Sequence, residues 1–269
     1  MTASILSLHT VAQHLKTFRE KRPLVHCMTN DVVQEITANV LLAAGASPLM
    51  TLTPEEVAEF AQIADALLIN LGSPKKDTIA AMVKAAKAAT QAGTPWVLDP
   101  VAAGTVPWRV TITNELLALH PDVIRCNASE LLAVAGKGAG GKGVDSMDTT
   151  EAALQTAEDF AKSEGIIICM TGETDYITDG FTTHACVGGT DLVTKVVGTG
   201  CALSALVAAY ASLGVNVETV ATACMLAKEA NAWASHHAAT PMLFKQLYID
   251  RLYSQRHESL TIGDITSAN

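Results

Sequence analysis

Between residues 8 and 187 the chain alternates repeatedly between short apolar runs and longer stretches of helical periodicity. That alternation constrains the fold more than any single motif. Apolar runs without the in–out pattern of a half-exposed strand must be covered on both faces. Val11, Leu15 and Phe18 recur at helical spacing over residues 8–20, and Pro23 ends that segment. Leu24 to Met28 reads as a strand, and Asp31 to Ala44 as a helix with Asn30 as N-cap and Gly45 as its close. Ser47 to Met50 (strand), Pro54 to Ile63 (helix), Ala66 to Asn70 (strand) and Pro74 to Gln91 (helix, ended by Gly93) repeat the unit. Trp96 to Leu98, Val123 to Cys126 and Ile166 to Met170 read as further strands, with helices at 114–119, 128–135 and 148–163. Asp179-Gly180 between two β-like runs, 176–178 and 182–187, predicts a hairpin. Two Ala-rich helices are expected at about 200–213 and 216–238, and the tail after them has no clear pattern.

Repeated strand–helix units predict an α/β fold, a three-layer αβα sandwich around a mainly parallel central sheet. No long linker or low-complexity block divides the 269 residues, so one domain spanning 1–269 is expected. That length buries a full core without a disulfide or metal staple. Hydrophobic residues at 49% and charged residues at 17% exclude an intrinsically disordered chain. A net charge of -9 lacks the basic footprint of a nucleic-acid binder, so no nucleic-acid partner is expected. Six scattered cysteines with no C-x-x-C read as reduced thiols. With no basic, apolar leader at the start, they point to a cytoplasmic location. Val196 to Val217 is uncharged and long enough to span a bilayer. Its Gly198, Gly200, Ser204, Ser212 and Gly214 fit a buried helix better, so no membrane partner is expected.

Open α/β sheets bind ligands at the carboxyl ends of their strands. Here those ends carry Thr29 and Asn30, Met50, Asp99, the group Arg125, Cys126 and Asn127, and Thr171-Gly172-Glu173. Gly198-Thr199-Gly200-Cys201 then opens a helix. Such a turn offers unpaired N–H groups and the positive end of a helix dipole to an anion. It equally suits a tight turn that lets the helix pack closely. Asp99 and Glu130 have the chemistry to hold Mg²⁺ between phosphates. Each also suits a plain helix-capping or first-turn role. Arg125 is costly to bury without an anionic partner, and reads as a phosphate clamp or a structural ion pair. Cys201 stands at a helix N-terminus, where the pKa of a thiol is expected to fall.

Two other patterns carry no such weight. Gly136 to Lys142 spells G-x-x-x-x-G-K, but Gly143 stands where the phosphate-binding motif needs Ser or Thr, and the segment follows a helix. It reads as a loop. His236-His237 and the other histidines lack metal-ligand spacing, so no zinc is expected.

The matching segments are PLVHCMTNDVVQEITANVLLAAGASPLM (23–50), ALLINLGS (66–73), VLDPVAAG (97–104), IRCNASE (124–130), GKGVDS (141–146), MTGETDYITDG (170–180) and TKVVGTGCALSALVAA (194–209). Spread in this order over about two thirds of the chain, they resemble the hydroxyethylthiazole kinase family of thiamine salvage, within the ribokinase-like superfamily. The resemblance implies ATP- and Mg²⁺-dependent phosphorylation of the primary hydroxyl of 4-methyl-5-(2-hydroxyethyl)thiazole. It implies that Met50 and Gly198 contact the thiazole, with Asn30 nearby. Arg125 and Thr171 would contact ATP, with Asn127 beside them in the Asn127-x-x-Glu130 motif common to the superfamily. Asp99 and Glu130 would serve Mg²⁺. Gly198, Thr199 and Gly200 would form an anion hole, and Cys201 stands where most ribokinase-like enzymes carry the catalytic Asp. A homotrimer with active sites between subunits is also implied. Ala239 to Phe244 depart from the Gly-Pro-Gly-Ser-Phe stretch usual in relatives.

Three other readings compete with this one. A hydrolase would use Cys201 as nucleophile and His26 as its base. A non-catalytic protein would bind the thiazole alcohol on a kinase fold. A neighbouring vitamin kinase would act on a hydroxymethylpyrimidine.

Overall fold

The computed structural model describes residues 3–137, 148–188, 190–258 and 260, and within these no side chain of residues 148–152. The GKGVDS segment and most of the Gly136–Gly143 loop lie outside the described residues. Eight strands form one sheet: β1 (Leu24–Met28), β2 (Ser47–Leu49), β3 (Ala66–Asn70), β4 (Trp96–Asp99), β5 (Val123–Asn127), β6 (Ile167–Thr171), β7 (Asp175–Thr178) and β8 (Thr183–Cys186). Their spatial order is β2-β1-β3-β4-β5-β6-β7-β8. Every pairing through β6 is parallel, and β7 and β8 add an antiparallel hairpin at one edge. Asp179 shapes the hairpin turn by accepting the N–H groups of Phe181 and Thr182.

Strand residues alternate between two cores, as the pleat requires. Val25, Cys27, Leu68, Val97, Val123, Ile167 and Cys169 enter one core. They pack against α1 (Leu8–Lys21), α2 (Gln34–Ala44), α8 (Thr199–Ala211), α9 (Val217–His237) and α10 (Pro241–Ser254). Leu67, Ile69, Trp96, Leu98, Ile124, Ile168 and Met170 enter the other. They pack against α3 (Val57–Ile63), α4 (Lys76–Ala92), α5 (Pro107–Leu117), α6 (Ala128–Val134) and α7 (Asp148–Glu164). The result is the expected three-layer αβα sandwich. Buried alanines such as Ala205, Ala208, Ala223 and Ala227 let α8 and α9 lie close together.

Four elements differ from the sequence reading; the helix expected at 54–63 starts at Val57, after a turn over residues 54–56. The helix expected at 31–44 starts at Gln34, and Asn30 closes a local turn onto the Val32 N–H instead of capping it. The helix expected at 114–119 begins at Pro107, where proline is pre-organised for a first turn. The unassigned tail forms α10, again opened by a proline, with Phe244, Tyr248 and Leu252 buried. Among the described residues no helix is long and apolar enough to cross a membrane. The uncharged stretch from Val196 is instead interrupted by the turn before α8 and the break after it.

Candidate active site

The strand order reverses around β1, which has β2 on one side and β3 on the other. A crevice is expected at the carboxyl ends of the two strands that flank such a reversal. At that point Asn30 Nδ2 donates to Asn70 Oδ1 at 2.9 Å. Asn70 Nδ2 donates to Asp99 Oδ2 at 2.7 Å, and Ser204 Oγ of α8 donates to the same oxygen at 2.7 Å. One buried polar chain therefore ties the exits of β1, β3 and β4 to α8. Gly72 makes room for it, since a Cβ there would stand 2.0 Å from Asn30 Nδ2.

The start of α8 is fixed by its own residues. Gly198 holds φ +92°, and a Cβ on it would meet Ile36 Cγ2 of α2 at 2.6 Å. The Thr199 hydroxyl turns back to the carbonyls of Val193 and Val196 at 3.2 and 3.3 Å. The first intrahelical bond runs from the Ala202 N–H to the Gly198 carbonyl. The amides of Thr199, Gly200 and Cys201 thus belong to the unpaired first turn.

Arg125 projects from β5 against this turn. Its Nη2 donates to Thr171 Oγ1 at 2.6 Å, and its Nη1 lies 3.9 Å from Asp99 Oδ2. Its Nε is buried with no hydrogen-bond partner among the described residues. Arg125, Thr171, Gly172, Thr199 and Gly200 line a cleft of about 270 Å³.

Glu130 lies beside the site in a more committed role. Its Oε2 accepts the Asn127 N–H and its Oε1 accepts the Ala102 N–H, both at 2.9 Å. Asn127 Oδ1 accepts the Glu130 N–H in return, completing a capping box on α6. Arg109 holds the neighbouring loops through the carbonyls of Leu71, Val101 and Gly72.

Burial pushes the Asp99 carboxyl up to about 6, against the pull of Arg125 and of the Ser204 and Asn70 hydrogen bonds. Burial also pushes the Cys201 thiol up to about 11, with the Asp99 charge adding to it and an Asn70 hydrogen bond opposing. This corrects the expectation of a lowered thiol pKa. The helix end is present, but desolvation and a carboxylate neighbour outweigh it.

Asn30, Asp99, Arg125, Thr171 and Gly198 to Cys201 therefore gather at one edge of the sheet, with Glu130 adjoining. Met50 stands at the exit of β2, half-buried against the core that includes α2 and α8. Asn127 is exposed, its side chain engaged with Glu130 and Ser129. His26 does not join Cys201. Its Nε2 meets the Thr51 carbonyl at 3.1 Å, and its ring lies near Phe60 of α3, on the face opposite α8. A Cys–His pair is therefore not formed. Sequence reasoning missed Asn70, Ser204 and Lys228. Asn70 had a readable signal, a polar residue ending an apolar strand as Asp99 does. Lys228 and Glu229 stand out as a charged pair within the Ala-rich α9.

Residues 15–258 match the model of the Hydroxyethylthiazole kinase family. The chain belongs to that family. A hydroxyethylthiazole kinase of Klebsiella pneumoniae subsp. pneumoniae is 52% identical over 252 residues, covering 93% of this chain and 98% of its own. The structure of a hydroxyethylthiazole kinase protein from Pyrococcus horikoshii OT3 matches with a TM-score of 0.85 at 35% identity. That match covers 91% of this chain and 93% of the other. A ribokinase-like superfamily protein from Enterococcus faecalis matches with a TM-score of 0.67 at 14% identity, covering 95% and 97%. At that identity the likeness speaks for the fold alone, which is ribokinase-like. As a hydroxyethylthiazole kinase family member, this chain is a phosphotransferase, and its reaction uses ATP and a small-molecule acceptor.

Proposed function

We propose that this chain phosphorylates the primary hydroxyl of 4-methyl-5-(2-hydroxyethyl)thiazole with ATP, in thiamine salvage. The observation that carries the reading is the N-terminus of α8 set against Asp99 and Arg125 at the strand exits, in a member of the family of that name. We read residues 1–269 as a single domain of this kind.

Phosphoryl transfer passes through a loose transition state, so it asks for alignment and charge stabilisation more than for bond chemistry. The amides of Gly198, Thr199, Gly200 and Cys201, with the helix dipole behind them, receive the oxygens of the transferring group. Arg125 offers its guanidinium fork to ATP, and Thr171 orients that fork. Asn127 adjoins the nucleotide through the capping box that holds Glu130 in place. The thiazole ring is small and largely apolar, and suits a wall made by Met50 and the Gly198 backbone with Asn30 as the polar contact.

Asp99 and Glu130 fit Mg²⁺ by donor chemistry, both being hard carboxylates. The hydrogen bonds to Asp99 fall on Oδ2, and each Glu130 oxygen accepts only one N–H. Lone pairs therefore remain for a cation or its waters. When bound, the ion would offset phosphate charge. Cys201, protonated at neutral pH, positions the alcohol by hydrogen bonding, because a loose transition state does not need early deprotonation. A homotrimer in the cytoplasm completes the proposal.

Incubation of the purified protein with Mg-ATP and hydroxyethylthiazole, read by mass for the thiazole phosphate, tests it. Product that depends on thiazole and Mg²⁺ supports the reading. Folded protein that binds ATP and makes no such product removes the substrate assignment.

A further inference from the structure

Lys228 lies on α9 with only 7% of its surface exposed. An ammonium so placed is costly unless every hydrogen finds an acceptor. Its Nζ donates to the carbonyls of Gly172 at 3.0 Å and Glu173 at 2.8 Å, and also to that of Gly188. Asp175 Oδ1 stands 3.2 Å away and accepts the Gly172 N–H at 3.0 Å. Three carbonyls and one carboxylate thus surround one cation.

This cage joins three separate pieces of chain: the turn between β6 and β7, the exit of β8, and the middle of α9. The turn it holds begins at Thr171, the partner of Arg125. Lys228 lines the same cleft as Arg125, Thr171, Thr199 and Gly200. With four acceptors for three hydrogens, the ammonium has nothing left for a phosphate, so it acts on the turn and not on the ligand.

We propose that Lys228 is a positioning residue for ATP: a tethered cation that pins the 171–175 turn, and through Thr171 the Arg125 fork, in the geometry that receives the nucleotide. Among the described residues no hydrogen bond or ion pair joins the cage to the thiazole side of the site, at Asn30, Met50 and Gly198, so thiazole affinity is expected to be independent of Lys228. The proposal rests on the kinase reading above.

The test uses the full chain with Lys228→Met and, because that change strands a buried Asp175, also the double variant Lys228→Met/Asp175→Asn. Calorimetry measures binding of ATP and of the thiazole alcohol separately, below the melting temperature. ATP affinity is expected to fall by about 10- to 100-fold, the worth of one charge-assisted hydrogen bond from the Arg125 fork, at unchanged thiazole affinity. Variants that melt earlier yet bind ATP as the unaltered chain does would overturn the proposal and leave Lys228 a structural ion pair. So would an equal loss for both ligands. An unaltered chain that binds no ATP would instead sink the kinase reading, and this inference with it.

Discussion

At Cys201 two physical effects oppose each other, and the surroundings decide. The unpaired amides of a first turn favour a thiolate, while burial and the Asp99 carboxylate favour the thiol. A thiol that titrates near 11 is protonated at neutral pH and is a poor base. Cys201→Asp places a group there that ionises far lower, so turnover is expected to hold or rise. Cys201→Ala removes the hydrogen bond to the alcohol, and turnover should fall about 10-fold, roughly the worth of one hydrogen bond. Steady-state kinetics on both variants checks this. A Cys201→Asp protein that binds both ligands and is inactive would contradict it. Asp99 supports a second prediction at this scale. Its folded pKa of about 6 lies above that of an unfolded Asp, about 3.9. Between those values the native state holds more protons than the unfolded state, so this group's contribution to stability decreases as pH rises. In ligand-free protein, Asp99→Asn should gain on the parent by about 1–3 kcal/mol between about pH 4 and pH 7. Urea melts across that range give the difference, and a flat one would mean that Asp99 is not held back by burial.

Among the elements, α8 concentrates the site's demands. It must begin abruptly, face Arg125 with its first turn, and reach Asp99 with Ser204 one turn later. Gly198 permits the abrupt start. In Gly198→Ala a side chain would have to adopt φ +92° and displace Ile36 and Val33 of the α2 region. Strain of about 1–2 kcal/mol and crowding of about 1–3 kcal/mol act together. A loss of roughly 2–5 kcal/mol in unfolding free energy is expected by denaturant titration, with weaker thiazole binding. A loss below about 1 kcal/mol would show that α2 yields easily. The start of this helix was legible in the sequence because a Gly-x-Gly turn precedes an apolar run. The beginnings of α2 and α5 were less so. Asn30 prefers a local turn over a cap, and the pattern from Pro107 lacks a clear apolar stripe, as exposed Trp108 and Val110 show.

For the whole molecule, apolar side chains stand exposed beside the site. Val32 follows Asn30 and is 67% exposed, and Val197 precedes Gly198 and is 69% exposed. Val106 and Trp108 open α5 and are also exposed. Exposed apolar side chains next to a binding site are a common mark of an interface, and these suit the proposed homotrimer. Sedimentation equilibrium should find a species three times the 28.2 kDa protomer, and specific activity should fall on dilution as that species dissociates. An active monomer would exclude shared sites.

The layered architecture follows from the order of residues along the chain. Runs such as Ala-Leu-Leu-Ile-Asn can be buried only in a sheet covered on both sides, and the alanines of α8 and α9 can pack only closely. That order also marked most of the site, because the exits of β1, β3, β4, β5 and β6 end apolar runs with polar residues. Which of these residues meet depends on the path of the chain through the sheet. That Asn70 bridges Asn30 and Asp99 follows from the strand order. That His26 and Cys201 lie apart follows from the strand pleat, which sends His26 to the α3 face while α8 packs on the other. That Cys201 stays a thiol, and that Lys228 is enclosed by carbonyls, depends on desolvation and on partners distant in sequence. Local pattern carries neither quantity.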